Sequence, residues 1–572
     1  MMAEQSSTPF HTTAEEASAM LWDYIFVGGG LSASVVSSRL HHLDPALKIL
    51  VIEAGGNANN DPSVVYPNST NLIGGEYDWK YQTIPQVNLD NRQVDLPCGK
   101  ALGGGTVINS GGWIRGDKFD FDLWGDTVGD HRWSYAGLLP YMKLTETAPA
   151  PVKNAAEHGT DGPMLIQSIE STHREFPLRN KTLESWQAVG VHPLPNNDGN
   201  AGNPLGIGDL FENKNQGRRE IADNVFKLTG ITVLTETLVS KVLLSTPKSH
   251  NQAPEATGVQ LANGTKIQGK EIILAAGAIR TAQLLMLSGI GPSDELHKFK
   301  IPVVLNQPEV GKNFADHGLF GALWALKDPS AGYAIGSANP LFNEPQYGYG
   351  TPADFLVSTG ITDKAGLAAA IEKDEGKKPD PKKHPLLKQD RTFNEHVFQY
   401  AGTADGSAVT FALINLLPTS RGSVTLKSAN INDVPNIDPN YHATEVDKFV
   451  AREGIRLQIA FANSNRTVIG RDIIAGELGA PGFNETFTTA STDAYIDARI
   501  AAGLGSTFHP MGTAAMGKVV DTNLKVKGIN KLRIVDTSVF PVVITAHLQV
   551  ATYATAYQAA DIIYNSLKCS TK

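Results

Sequence analysis

Six residues near the amino terminus, Gly28-Gly29-Gly30-Leu31-Ser32-Ala33, fit the pattern G-x-G-x-x-G/A. The residue types suit one task. A first glycine permits a tight turn, a second lets backbone approach a pyrophosphate, and a small third residue lets the following helix pack against a sheet. The anion then sits at a helix N-terminus, where free N–H groups and the dipole favour negative charge. Glu53 follows Ala33 by twenty residues, at the end of the next apolar run. An acid there accepts hydrogen bonds from ribose hydroxyls. Together these residues make a dinucleotide site, and at this level NAD and FAD fit it equally.

Acid–base chemistry requires a group that titrates near neutral pH, and imidazole is the natural one. The chain has fifteen histidines, so a histidine alone carries little. His41, His42, His131, His384, His396 and His442 have no motif around them and read as surface or loop residues. His509 differs, because Pro510 and Gly512 shape the backbone around it. A serine nucleophile is unsupported, since no G-x-S-x-G elbow follows a strand. The two cysteines, Cys98 and Cys569, provide neither a disulfide framework nor a zinc cluster.

These groups need a scaffold. Asp23–Val27 is a short apolar run ending in glycines and predicts a buried strand. Leu31–Leu43 has helical spacing, and Lys48–Glu53 predicts a second buried strand, completing a βαβ unit. Glu271–Ala276 and Leu532–Val535 are similar runs followed by small residues. They lie so far along the chain that the nucleotide-binding unit is expected to be discontinuous, with a second unit inserted. Within the insertion, Ser407–Leu417 and Gly422–Leu426 read as antiparallel strands. Asp363–Arg391 reads as a solvated helix and loop.

At 572 residues the chain exceeds what one core accommodates. A formal net charge of −9 without a basic patch excludes a nucleic-acid footprint. No apolar run is long enough to span a bilayer. The first twenty residues include Glu4, Glu15 and Glu16 and lack an apolar core. No secretory signal is expected from them, which favours a cytoplasmic protein, or a secreted one if a signal has been removed. Sequons at Asn68, Asn180, Asn263, Asn465 and Asn484 are weak evidence for secretion.

Further segments carry a resemblance. Gly99–Gly116 (GKALGGGTVINSGGWIRG), followed by Asp122 and Trp124, is similar to the first signature of the glucose–methanol–choline (GMC) oxidoreductases. Gly277–Gly291 (GAIRTAQLLMLSGIG) resembles the second, with Ala282 at a position usually Pro or Ser. Val310–His317 (VGKNFADH), Pro418–Gly422 (PTSRG), the His509–Thr513 segment (HPMGT) and Val535–Ser538 leading to His547 resemble later landmarks of the family. The resemblance spans most of the chain.

The resemblance implies an α/β FAD-binding domain, Rossmann-like and discontinuous (residues 20–150, 225–320 and 505–572). It implies an inserted α+β substrate domain built on an antiparallel sheet (151–224 and 321–504). FAD, rather than NAD, would occupy Gly28, Gly30, Leu31, Ser32, Ala33 and Glu53. Gly103, Gly104, Gly105, Asn109, Ser110, Val239, Asp536 and Leu548 would complete its site. Some members link FAD through a histidine just before the Asn109 position; here Ile108 stands there, so non-covalent FAD is expected. His509 would be the base that starts oxidation of a small-molecule alcohol, with hydride passing to flavin N5 and on to oxygen or another acceptor. His547, thirty-eight residues later, is expected to be its hydrogen-bonding partner. Trp113, Phe508 and Tyr77 are expected to line an aromatic substrate pocket. The alternative is a non-redox lyase or cyclase/dehydratase acting on a secondary metabolite, with the same fold and retained FAD.

Overall fold

A computed structural model describes residues 10–66, 72–246, 249 and 252–570. The Asn68 sequon, residues 1–9 and the Cys569 side chain lie outside the described residues.

Two sheets organise the chain. In the first, Phe10–His11, Thr232–Leu234, Ile49–Ile52, Leu21–Val27 and Lys266–Leu274 run parallel in that spatial order. The far edge of Lys266–Leu274 is shared. Its first residues pair antiparallel with Ala256–Leu261, which pairs in turn with Val239–Leu244, and its last pair parallel with Leu532–Ile534. Tyr24–Val27 and Ile49–Ile52 are fully buried, as expected of parallel strands covered on both faces. One cover is the Leu31–Leu43 helix, packed between the sheet and the long C-terminal helix Gln549–Ser570. The βαβ unit therefore forms where the sequence places it, and the 271–276 and 532–535 runs join the same sheet.

The second sheet is antiparallel. Its order is Ile474–Glu477, Gly318–Leu326, Ala408–Asn415, Asn394–Gly402, Phe355–Thr359 and Gly206–Asp209, with Gly505–Ser506 also pairing to Gly318–Leu319. One face packs on the Glu445–Ala462 helix through Val450, Ile455 and Ile459. Strand alternation sends His396, Phe398 and Tyr400 toward that side, where His396 meets Trp186 and Phe411. The intervening residues, Glu395, Val397 and Gln399, occupy the opposite face. The segment near Gly422–Leu426 does pair antiparallel, but not in this sheet. Ser423–Thr425 forms a separate ribbon with Asn436–Asp438, because Asp447 accepts the Thr419 and Ser420 N–H groups and turns the chain away. The Lys364–Glu375 helix lies at the surface, but Arg391 beyond it is buried against Asp120. No helix among the described residues is long and apolar enough to cross a membrane.

Candidate active site

A cavity of about 470 Å³ runs from the Gly28–Ser32 turn to the free face of the antiparallel sheet. At the turn, Gly28 has φ +96°, and a Cβ there would meet the Ala275 carbonyl oxygen at 2.5 Å. Only glycine lets the turn lie this close to the neighbouring strand. Gly30 caps the Leu31–Leu43 helix without a side-chain hydrogen bond, so the first N–H groups remain available to a ligand. Leu31 and Ser32 line the cavity, while Ala33 packs behind them in the core.

Glu53 ends the second strand of the βαβ unit. Its Oε2 accepts from the Gly29 N–H at 2.7 Å and its Oε1 from the Gly55 N–H at 2.8 Å. Burial raises its pKa to about 6, with those N–H groups opposing the shift. Each oxygen keeps a lone pair for a further donor. On the cavity wall, Gly104 lies so close to Gly30 that a Cβ would meet the Gly30 Cα at 2.8 Å, whereas one at Gly105 would meet nothing within 4 Å. Gly103 sits one layer back, its N–H donating to the Gly29 carbonyl at 2.9 Å. Ser110, Val239 and Leu548 line the same space. Asp536 does too, and its carboxylate accepts from the Gly277 N–H at 3.1 Å and the Thr281 hydroxyl at 2.7 Å. Asn109 is held from both sides. Arg219 donates to its Oδ1 at 2.9 Å, and its Nδ2 donates to Gln549 at 3.4 Å.

His509 and His547 face each other across the cavity with ring centroids 5.1 Å apart. They are not hydrogen-bonded to one another, which corrects the expected pairing. The Nδ1 of His509 lies 2.9 Å from the Nδ1 of His317, and the Nε2 of His547 lies 2.9 Å from Glu395 Oε1. Strand alternation explains the second contact, since Glu395 occupies the cavity face of Asn394–Gly402. The His509 loop is fixed by Asp316, which accepts its N–H at 2.8 Å and also the hydroxyls of Ser506 and Tyr441. The His547 segment is fixed by Asp120, whose Oδ2 accepts the Thr545 N–H at 2.8 Å.

These surroundings set opposite charge preferences. Burial, then the nearby His547 and His317, hold His509 well below the usual histidine range. Burial lowers His317 to about 3, with His547 and Arg421 adding to the effect. Burial also opposes charge on His547, but Glu395 overrides it and raises the pKa above the ordinary value. Charge is thus disfavoured on His509 and favoured on His547, two adjacent imidazoles with opposite proton preferences.

The expected aromatic pocket is only partly present. Phe508, at φ +65°, lines the cavity and is 42% exposed. Trp113 is fully buried outside it, because its indole N–H donates to Glu146 at 2.6 Å and its ring packs by Tyr553. Tyr77 is likewise outside, packed on a small cluster with Ile108 and donating to Asp61 at 2.9 Å. Sequence reasoning did not single out Glu395, Arg219 or Gln399, which lie outside any recognised motif. His317 closes a quoted landmark, VGKNFADH, without a role of its own.

Comparison with known proteins agrees with this arrangement. Residues 22–319 and 418–556 each match the family described as GMC oxidoreductase. The chain belongs to the GMC oxidoreductase family, a class of FAD-dependent enzymes that act on CH–OH groups. Among its relatives, the GMC-type oxidoreductase acuG of Aspergillus aculeatus is 36% identical, covering 95% of this chain and 99% of that protein. An oxygen-dependent choline dehydrogenase of Pseudomonas fluorescens is 30% identical, over 95% and 93%. Similar solved structures include a variant formate oxidase of Aspergillus oryzae studied for FAD modification (25% identity, TM-score 0.83, 96% of this chain and 99% of that one). The pyridoxine 4-oxidase of Mesorbium loti is another (26% identity, TM-score 0.77, 94% and 98%).

Proposed function

We propose that this protein binds FAD non-covalently along the Gly28–Ser32 turn and oxidises an alcohol at the His509–His547 end of the cavity. Several features support the cofactor. They are the uncapped helix N-terminus at Gly30, the buried Glu53 carboxylate, and the open space above Gly105. Ile108 lines the cavity and carries no nucleophile, and burial pushes the neighbouring Cys98 thiol far up, keeping it protonated. When bound, FAD supplies the two-electron acceptor that takes hydride from the carbinol carbon.

The chain's own residues do the proton work. His509 Nδ1 is engaged by His317, so its Nε2 is the nitrogen left to accept the hydroxyl proton. His547, held as imidazolium by Glu395, donates toward the same oxygen and stabilises the alkoxide as it forms. The observation that carries this reading is the pair of adjacent histidines, one 2.9 Å from His317 and the other 2.9 Å from Glu395, inside the cavity that also contains the dinucleotide fingerprint.

The test is anaerobic stopped-flow mixing of the holoenzyme with a panel of primary, aryl and sugar alcohols. Wild type should bleach its flavin absorbance, and His509→Ala should do so about 10²–10⁴-fold more slowly. Conversion of a substrate without bleaching would replace this reading with the non-redox lyase or cyclase.

A further inference from the structure

The free face of the antiparallel sheet forms the cavity wall opposite the fingerprint, and its side chains can be read in rows. Leu319 pairs with Ile414 and Ile414 with Glu395, placing the first row under His547. Gly321 pairs with Ala412 and Ala412 with Val397, making a second row of small and branched residues. Thr410 pairs with Gln399 in the third. Val397, Ala412, Ile414 and Leu356 are buried and line the cavity. Ala412, the smallest of these side chains, stands between Val397 and Ile414, so the cavity wall is apolar and low at its middle row.

Two polar groups interrupt this apolar wall. Gln399 lines the cavity, and its carboxamide has no hydrogen-bond partner among the described residues. Thr351 also lines it. Its N–H donates to Glu212 at 2.8 Å and its carbonyl accepts from Arg174 at 3.3 Å, but its hydroxyl has no partner among the described residues. Gln399 stands four residues along the strand from Glu395, a span of about 13 Å. The ionisable groups of the lining, Glu53, Tyr81, Cys98, Arg280, Asp536, His509 and His547, all lie outside the antiparallel sheet. The sheet residues that line the cavity, Leu319, Leu356, Val397, Gln399, Ala412 and Ile414, include no ionisable group and no aromatic ring. A charged group laid on this wall would lose its hydration without a counter-charge, and the wall offers a quaternary ammonium no aromatic face.

We infer that the substrate is a neutral alcohol with an apolar body and a hydrogen-bonding group, carbonyl or hydroxyl, at the end remote from the carbinol, read by Gln399 and Thr351. The inference rests on the alcohol-oxidation reading for the position of the carbinol, and it supplies what that reading leaves open, the class of alcohol.

The probes are para-biphenylmethanol, the same compound with a para hydroxyl on its far ring, and choline. Titration calorimetry against the holoenzyme gives Kd, and anaerobic stopped flow gives flavin reduction. Wild type should bind the hydroxylated compound about 3- to 10-fold more tightly than the parent, the value of one neutral hydrogen bond. Choline should bind more weakly than either. In Gln399→Leu the ratio of the two biphenyl Kd values should fall to about one, and in Thr351→Val it should fall part of the way. An unchanged ratio in Gln399→Leu, or tighter binding of choline, would overturn the inference. Selective binding in wild type that Gln399→Leu abolishes, with no flavin reduction by any alcohol, would uphold the subsite and sink alcohol oxidation instead.

Discussion

The Nδ1 atoms of His509 and His317 lie 2.9 Å apart, and neither ring is predisposed to charge. One proton must lie between them. The His317 Nε2 is buried with no hydrogen-bond partner among the described residues, and the group that favours a proton on that ring is the Leu416 backbone. The proposed base role requires His509 to donate from Nδ1 to His317 and to present a bare Nε2 to the cavity, which would make His317 a positioning residue for that tautomer. His317→Leu should slow anaerobic flavin reduction about tenfold, a fraction of the roughly 10²–10⁴-fold that a positioned base supplies. His317→Asn, which retains an acceptor oxygen, should recover part of the loss. A purely structural role would slow both variants alike and leave the pH profile of reduction unmoved. The tautomer role predicts that the acid limb rises in His317→Leu, since His317 helps hold His509 low.

Glu395 tunes the other histidine. Proton abstraction needs neutral His509, whose pKa is lowered. Flavin reduction in wild type should therefore persist as pH falls past the ordinary histidine value of about 6.5 and decline only below it. Glu395→Gln removes the charge that keeps His547 protonated, leaving burial to push its pKa down. His547 should then be neutral at pH 7, and reduction should slow by about tenfold through the loss of a charged donor. With His547 uncharged, His509 should regain protons more easily, moving the acid limb upward. Stopped-flow reduction rates across the pH range of wild type and variant check both shifts.

Glu53→Gln should loosen FAD. A hydrogen bond to a charged acceptor is worth about 1.5–3 kcal/mol, or roughly 10- to 100-fold in Kd. Flavin fluorescence released on serial dilution measures it. The same holoenzyme, precipitated with acid, should leave its yellow colour in the supernatant. Colour fixed in the pellet would mean a covalent link despite Ile108.

His158 offers a pH test remote from the cavity. Burial opposes its charge, but Asp198 at 3.2 Å and Glu146 at 2.7 Å override burial and raise the pKa to about 9. A raised pKa in the folded state contributes stability that is complete below the unfolded value of about 6.5. That stability is lost as pH rises through about 9. The melting temperature should fall by a few degrees between neutral pH and the far side of that pKa. In His158→Gln this fall should be smaller, and the variant should already be less stable at neutral pH. Equal slopes in the two proteins would remove His158 as the cause.

The amino-acid sequence determined the local physics. The Tyr24–Val27 and Ile49–Ile52 runs have no polar face to offer water, so they specify doubly covered parallel strands. The Gly28–Ala33 pattern supplies the glycine that the tight turn requires, and Glu53 follows at the end of the next strand, where it meets the Gly29 N–H. The spacing around His509 marked it out from fourteen other histidines. Tertiary structure decided which distant groups meet. Glu395 and His547 are 152 residues apart, and His317 and His509 are 192 apart. Neither pairing leaves a periodicity or motif in the chain, because it depends on how the antiparallel sheet is seated against the parallel one. Trp113 and Tyr77 show the same limit from the other side. An aromatic residue looks alike in sequence whether its ring faces a cavity or a core, and here the partners Glu146 and Asp61 draw both polar edges away from the cavity.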